Sequence, residues 1–203
     1  MELFGMNTPN QNNLQPQPGD ALLIVDVQND FLPGGSLAVP RGDEVVPMLN
    51  RYLRAFQNLP VYATRDWHPA QHCSFRAQGG PWPPHCVAET RGAEFAAALQ
   101  LPPSAVIISK ATKVEHDAYS GFQDTDLDFL LHSTNIRRLF IGGLATDYCV
   151  LNTVRDAIGL GYKVLLLADA IRAVEVQPGD GLRAEAEMLG LGAQRISVEG
   201  MAA

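Results

Sequence analysis

The sequence predicts a three-layer α/β/α protein in which helices cover both faces of a six-stranded, mainly parallel sheet. Two observations lead to this prediction. Short apolar runs alternate with segments of helical periodicity, and this βαβα order is typical of parallel sheets with crossover helices. The apolar runs are also nearly continuous in Leu, Ile and Val, as expected for strands that are buried on both faces.

Each predicted strand is a short apolar run, rich in Leu, Ile and Val, that lies between loop or helical segments. The first run follows Gly19 and the second follows Pro60, so both begin at residues that interrupt regular structure. The predicted strands cover residues 20–27, 61–64, 105–109, 138–141, 163–167 and 195–198.

The predicted helices lie between these strands and are identified by apolar residues three and four positions apart. The first begins near Asp43, and another begins near Thr146, directly after the fourth strand. The predicted helices cover residues 43–56, 94–99, 126–132, 146–158 and 180–189.

Two segments lie outside this alternation. Residues 1–19 are rich in Asn, Gln and Pro and are predicted to form a flexible extension before a single domain, residues 20–203. Residues 67–91 are rich in Pro and Gly and form a connection too long for a simple loop, which indicates a functional role.

Composition limits the function classes. The chain has 203 residues and a formal net charge of −7 with no long basic cluster, so a nucleic-acid partner is not expected. No apolar stretch approaches the roughly 18 residues of a membrane helix, so no membrane partner is expected. The N-terminus does not resemble a secretory signal and the three cysteines form no disulfide framework, which together favour a cytoplasmic location.

Polar residues follow four of the predicted strands. Asp26 ends the first run, Asp66 and His68 follow the second, Lys110 ends the third, and Cys149 comes soon after the fourth. Ligands of open parallel sheets bind outside the carboxyl ends of the strands. These residues are therefore predicted to converge on one active site.

A metal site is one component of this prediction. Asp66 and His68 are two residues apart in an extended segment and point to the same side, and His85 lies in the long loop after two prolines. Two His and one carboxylate leave open positions on a cation, which can be Zn²⁺, Fe²⁺ or Mn²⁺. His72 is a candidate further ligand or supporting residue, and the alternative for the whole set is a group of polar surface residues.

Cys149 is a candidate nucleophile because it lies where a helix begins, and amide groups and the helix dipole at such a position favour the thiolate. Asp26 is a candidate general base, and Lys110 would balance its charge; Lys113 is a rival for that role. The alternative for Cys149 is a buried structural cysteine. Packing is the predicted role of Cys73 and Cys86, which lack metal-ligand spacing.

At these residues the sequence resembles the nicotinamidase branch of the isochorismatase-like cysteine hydrolases, and the likeness runs from about residue 20 to residue 198. The matching fragments are IVDVQNDF at 24–31, TRDWHP at 64–69, WPPHC at 82–86, SKAT at 109–112, AYSGF at 118–122 and GGLATDYCV at 142–150. One departure is Ala111, which stands where Gly often follows the lysine.

The resemblance implies a fold, an activity and a set of site residues. It implies an isochorismatase-like hydrolase fold and hydrolysis of the small molecule nicotinamide, with pyrazinamide as a related substrate, in NAD salvage. It implies a cis peptide bond before Ala145 and one divalent metal ion that receives the pyridine nitrogen. The implied residues are Asp26, Lys110 and Cys149 as the catalytic triad, the Ala145 and Cys149 amides as the oxyanion hole, Phe31, Trp82 and Tyr119 as the substrate pocket, and Asp66, His68 and His85 as the metal ligands.

Other functions are weighed against this one. A different amide or ureido hydrolase with the same triad is the main alternative, but such relatives usually lack the Asp-x-His and distant His residues. Isochorismate hydrolysis does not use the cysteine, and a non-catalytic metal-binding or interaction module would not need Cys, Asp and Lys together. A dehydrogenase is disfavoured because no Gly-x-Gly-x-x-Gly follows the first strand. Assembly into a homo-oligomer is left open by the sequence.

Overall fold

The computed structural model describes residues 14–201, which contain a single sheet of parallel strands. The strands are β1 (Asp20–Val25), β2 (Val61–Asp66), β3 (Val106–Lys110), β4 (Arg138–Leu144), β5 (Lys163–Arg172) and β6 (Gln194–Ile196). They lie in the order β3-β2-β1-β4-β5-β6, and every neighbouring pair is parallel. The predicted α/β class with a six-stranded parallel sheet is confirmed.

Helices cover both faces of this sheet because alternate side chains of the buried strands point to opposite sides. The helices are α1 (Val45–Ala55), α2 (Leu127–Ser133), α3 (Leu151–Gly159), α4 (Asp180–Gly190) and α5 (Val198–Met201). Ile24 of β1 belongs to the cluster that contains α1 and α5, whereas Leu23 belongs to the cluster that contains α2, α3 and α4. None of the helices in the described part of the chain is long and apolar enough to cross a membrane.

The predicted helix at residues 94–99 is wrong. A short 3₁₀ turn at Arg91–Ala93 is followed by an isolated antiparallel bridge between Phe95 and Gln28. The Ala96 amide then donates a hydrogen bond to the Val27 carbonyl over 3.0 Å. The apolar residues of this segment pack against the end of β1, and that tertiary contact outweighs their helical spacing.

Several element ends also differ from the prediction, and these differences bear on the site. The strands β2 and β3 extend to Asp66 and Lys110, which are partners in the sheet register. The helix predicted from Thr146 begins as a π-helical turn, Thr146–Val150, before α3. The sequence does not show where β2 and β3 end, because their last residues are polar. These residues are nevertheless buried and belong to the strands.

The predicted N-terminal extension lies mainly outside the described residues, which begin at residue 14. Within its described part, Leu14 packs against the core and the Arg138 guanidinium donates to the Gln15 carbonyl over 3.0 Å. Residues 14–19 are therefore attached to the domain that was predicted to begin at residue 20.

Gly143 permits the close approach of β4 to β1. Its φ is +126°, and a Cβ at this position would lie 2.1 Å from the Val25 carbonyl oxygen. We expect Gly143→Ala to lower the free energy of unfolding by at least about 3 kcal/mol, because two central strands would have to separate. Urea denaturation of the purified variant measures this change.

Gly159→Ala is the matched control for this prediction. Gly159 ends α3, and no atom lies within 4 Å of the Cβ that alanine would add. The change in its unfolding free energy should stay below about 1 kcal/mol. Equal stability of the two variants would contradict the close-approach interpretation.

Candidate active site

The carboxyl ends of four neighbouring strands bring the predicted catalytic residues together. Asp26 follows β1 directly, Asp66 ends β2, and Lys110 ends β3. Cys149 lies in the π-helical turn after β4, which pairs with β1 on the other side. The sheet order therefore explains why residues far apart in sequence meet at one edge.

The ammonium group of Lys110 lies at the centre of this cluster. Its Nζ is 3.0 Å from Asp26 Oδ2 and 3.5 Å from Cys149 Sγ, and it also contacts Asp66 Oδ1. The Ala118 carbonyl accepts a further hydrogen bond over 2.9 Å. A fully buried ammonium is tolerated here because two carboxylates balance its charge.

Lys113, the rival to Lys110, lies elsewhere. Its Nζ pairs with the exposed Asp124 carboxylate at 3.4 Å, and its side chain is 62% exposed. Surface pairs of this kind contribute little to stability. The structure therefore places Lys110, not Lys113, beside Asp26.

Asp26 is held rigidly and out of contact with water. Its backbone has a φ of +48°, and its Oδ1 accepts a hydrogen bond of 2.6 Å from Thr64 Oγ1. Burial raises the pKa of its carboxyl above the ordinary value, although the Lys110 ammonium opposes that effect. The carboxyl is thus a stronger base than an exposed aspartate.

The surroundings of Cys149 oppose the thiolate form that its position at the start of a helix favours. Burial raises the pKa of its thiol well above the ordinary value, and the carboxylates of Asp26 and Asp66 raise it further. The Lys110 ammonium lowers that pKa but does not compensate. These effects favour the thiol form of Cys149, so its sulfur needs a nearby base to become a nucleophile.

Asp66, His68 and His85 form a compact, buried group that fits a metal ion. One potential ligand atom from each lies within 4.8 Å of the others. The His68 Nε2 atom is buried without a hydrogen-bond partner and lies 3.5 Å from Asp66 Oδ2. An unpartnered buried nitrogen beside a carboxylate oxygen is costly unless a cation joins them.

The Nδ1 atoms of His68 and His85 already have hydrogen-bond partners. His68 Nδ1 donates to the Ala111 carbonyl over 3.3 Å, and His85 Nδ1 donates to the Pro83 carbonyl over 2.8 Å. Backbone carbonyls commonly fix metal-binding histidines in this way, leaving Nε2 for the ion.

His72 supports the group and has no free ring nitrogen to add to it. Its ring stacks on His68 with centroids 4.2 Å apart. Its Nδ1 bonds to Ser74 Oγ over 2.7 Å, and its Nε2 donates to the His116 carbonyl over 3.1 Å. Of the two roles left open by the sequence, the geometry favours the supporting one.

Asp26, Asp66 and Cys149 form a second group with metal-ligand spacing, within 4.8 Å of one another. The Lys110 ammonium contacts all three residues. An ammonium already supplies a positive charge among these residues, which fits a catalytic cluster better than a second metal site.

One cavity joins the thiol to the metal-binding group. The space between its lining residues, counted together with the open solvent at its mouth, is about 450 Å³. The predicted pocket residues Phe31, Trp82 and Tyr119 line it. The remaining lining residues are Leu37, Val39, Asp66, His68, Ser74, His85, Asp117, Ala145, Tyr148, Cys149 and Val174.

Tyr148 is a pocket residue that sequence reasoning missed. The Trp82 indole donates to the Tyr119 hydroxyl over 3.0 Å, and the ring centroids of Trp82 and Tyr148 are 5.1 Å apart. Tyr148 directly precedes Cys149, but only the geometry of the π-helical turn places both side chains on the cavity. The sequence signal that could have identified Tyr148 is its position next to the candidate nucleophile.

Ala145 lies beside Cys149 on the cavity wall. The peptide bond between Leu144 and Ala145 is cis, as the family resemblance implied. The Ala145 carbonyl accepts hydrogen bonds from the Tyr148 and Val150 amides over 3.0 and 3.1 Å, so it faces the turn that carries the thiol.

Comparisons with known proteins identify the family to which the chain belongs. The sequence matches the Isochorismatase domain family over residues 20–189. It is 42% identical over 199 residues to the nicotinamidase of Escherichia coli K12, covering 87% of this chain and 93% of that protein.

Two solved structures are similar over most of their length. One is the pyrazinamidase of Pyrococcus horikoshii in complex with zinc, with a TM-score of 0.85, 48% identity and coverage of 89% of this chain and 99% of that one. The other is PnC1 from L. infantum in complex with nicotinate, with a TM-score of 0.84, 38% identity and coverage of 90% and 94%.

Proposed function

The chain belongs to the isochorismatase family, and from this premise we propose that it is a nicotinamidase that hydrolyses nicotinamide to nicotinate and ammonia. One observation carries the proposal: a single cavity is lined both by a thiol and by a group of residues that fits a metal ion. A pyridine ring with a carboxamide substituent has functional groups suited to both. The nicotinate bound to the L. infantum relative supports this substrate class.

Asp66, His68 and His85 are the proposed ligands of one divalent ion. The zinc in the P. horikoshii relative favours Zn²⁺, and Fe²⁺ and Mn²⁺ also suit two imidazoles and a carboxylate. When bound, the ion supplies an electrophilic anchor for the ring nitrogen of the substrate. The nucleophile itself comes from the protein, because the thiol lies beside its own base.

Binding would position the carboxamide over Cys149. Phe31, Trp82 and Tyr119 provide apolar and aromatic surface for the ring, while water is largely excluded from the buried thiol. Holding the two reacting atoms in contact converts a bimolecular step into a unimolecular one, which contributes several kcal/mol, up to about 7–11, of the barrier reduction.

In the acylation step, Asp26 accepts the thiol proton while Cys149 Sγ bonds to the carboxamide carbon. The raised pKa of the Asp26 carboxyl makes this transfer from the thiol less unfavourable. The carbonyl oxygen becomes an oxyanion, for which the Ala145 and Cys149 amides are the proposed donors, each contributing about 3 kcal/mol. Asp26 then gives its proton to the departing nitrogen, which leaves as ammonia, and a thioester remains.

In the deacylation step, a water molecule attacks the thioester carbon. Asp26 accepts a proton from that water and returns it to the sulfur, so nicotinic acid is released and the thiol is restored. Lys110 keeps its charge throughout, because the two carboxylates raise the pKa of its ammonium although burial opposes them.

An assay of ammonia release tests the substrate assignment. We expect turnover of nicotinamide and, because its ring also has a nitrogen and a carboxamide, of pyrazinamide. Activity on a ureido compound and none on nicotinamide would instead identify the alternative hydrolase. The proposed physiological role is NAD salvage in the cytoplasm.

The metal assignment predicts that Asp66→Ala lowers the bound metal from about one ion per chain to well below one after dialysis. Removing one of three ligands, and the only anionic one, weakens binding strongly. Elemental analysis of the purified proteins measures the metal content. His132→Ala is the control, because that histidine is exposed and bonds to Asp128. Unchanged metal content in Asp66→Ala would exclude Asp66 from the site.

A further inference from the structure

Gln28 is a fully buried polar residue that the proposed mechanism does not use. Its side-chain amide forms a pair of hydrogen bonds with the backbone of Asp66. The Gln28 Nε2 atom donates to the Asp66 carbonyl over 2.7 Å, and the Asp66 amide donates to Gln28 Oε1 over 2.8 Å. A third bond runs from Nε2 to the Ala93 carbonyl over 3.0 Å.

These bonds continue the sheet where its strands end. The strand β1 ends at Val25, but β2 continues to Asp66, whose backbone therefore lacks a β1 partner. The side-chain amide of Gln28 takes the place of the missing β1 backbone, because its donor and acceptor are spaced like those of a peptide group. On the other side, the amide of the following residue, Trp67, donates to the Lys110 carbonyl of β3 over 3.1 Å. The backbone around Asp66 is thus held from both sides.

The side chain of Asp66 depends on this fixed backbone. Its Oδ1 contacts the Lys110 ammonium, and its Oδ2 lies 3.5 Å from the unpartnered His68 Nε2. One carboxylate thereby serves the catalytic cluster and the metal group with different oxygens. A small rotation of the Asp66 backbone would misplace both oxygens.

We propose that Gln28 is a positioning residue for the metal centre: its amide holds Asp66 so that Oδ2 faces His68 while Oδ1 stays on Lys110. This inference rests on the proposed function, because it takes Asp66 as a metal ligand. It assigns to Gln28 an effect on metal affinity and coordination geometry in addition to any effect on stability.

The chain offers a control on α1 for the loss of such a hydrogen-bonded pair, at a more exposed residue. Asn50 makes the same kind of amide-to-backbone pair, from Nδ2 to the Ala98 carbonyl and from the Gln100 amide to Oδ1, each over 2.9 Å. Asn50 does not line the cavity and has no contact with the metal group. Its replacement removes a similar pair of hydrogen bonds far from the proposed ion.

The experiment compares Gln28→Met, Gln28→Asn and Asn50→Leu with the unaltered full-length protein. Gln28→Met keeps the length of the side chain but removes its hydrogen bonds. Gln28→Asn keeps an amide on a shorter side chain and is expected to disturb folding less. For each protein, chelator competition gives the Zn²⁺ dissociation constant, the Co²⁺ absorption spectrum reports coordination geometry, and urea denaturation gives stability.

We expect both Gln28 variants to bind Zn²⁺ at least about 10-fold more weakly and to have an altered Co²⁺ spectrum, as for other residues that orient metal ligands. Asn50→Leu should match the unaltered protein in both. Gln28 variants that lose stability but keep the Zn²⁺ affinity and the Co²⁺ spectrum would overturn the inference. Zn²⁺ binding by an unaltered protein without nicotinamide activity would overturn only the substrate assignment.

Discussion

Cys149→Ala is expected to lower kcat for nicotinamide hydrolysis by about 10⁴-fold or more, because no other group can form the thioester. The metal-binding residues and the aromatic walls remain in this variant. Binding of nicotinate should therefore persist while turnover is lost. Ammonia release measures turnover, and isothermal titration with nicotinate measures binding.

Cys73→Ala is the control for this loss. Cys73 is partly exposed and does not line the cavity, so its variant should keep full activity. If Cys149→Ala kept activity comparable to that of Cys73→Ala, the sulfur of Cys149 would not be the nucleophile. Circular dichroism of both variants verifies that they remain folded.

Lys110→Met is expected to lower the free energy of unfolding by about 3–5 kcal/mol near neutral pH. The change removes the ammonium that pairs with Asp26 and Asp66 and leaves two buried carboxylates without a counter-charge. Urea denaturation in the presence of a chelator measures the change without compensation by a bound ion.

This loss should depend on pH with a definite sign. Without the ammonium, the folded-state pKa of the Asp66 carboxyl rises above the unfolded value of about 3.9, and the pKa of the Asp26 carboxyl, which burial already raises, increases further. The folded variant then binds more protons than the unfolded chain, so its stability falls as pH rises above about 4. The deficit relative to the unaltered protein is therefore smallest in acid and widens toward neutral pH.

Lys113→Met provides the matched comparison for Lys110→Met. Its ammonium forms an exposed pair with Asp124, so its loss should change stability by less than about 1 kcal/mol at any pH. A Lys110→Met deficit that is equally small, or that shrinks as pH rises, would contradict the charge balance described for the buried cluster.

Much of the fold was predictable because burial and periodicity are local properties of the sequence. The strand cores were identified correctly, and the parallel arrangement followed from their alternation with helices. The helix predicted at residues 94–99 failed because Phe95 and Ala96 bond to the end of β1, a long-range contact with no local signature.

The convergence of Asp26, Asp66 and Lys110 at one edge of the sheet was predictable, because these residues interrupt or end apolar runs of neighbouring strands. Their protonation was not predictable. The sequence suggested a thiolate at the start of a helix, whereas the pKa of Cys149 depends on its burial and on two carboxylates brought by other strands. The contact of Gln28 with Asp66 likewise joins residues whose relation appears only in three dimensions.

Trapping with hydroxylamine tests most directly whether the cysteine, rather than a metal-bound water, attacks the substrate. If a thioester forms on Cys149, added hydroxylamine should divert it, so nicotinohydroxamate increases and nicotinate decreases as the hydroxylamine concentration rises. Steady formation of nicotinate, undiminished by hydroxylamine and without hydroxamate, would contradict the thioester mechanism.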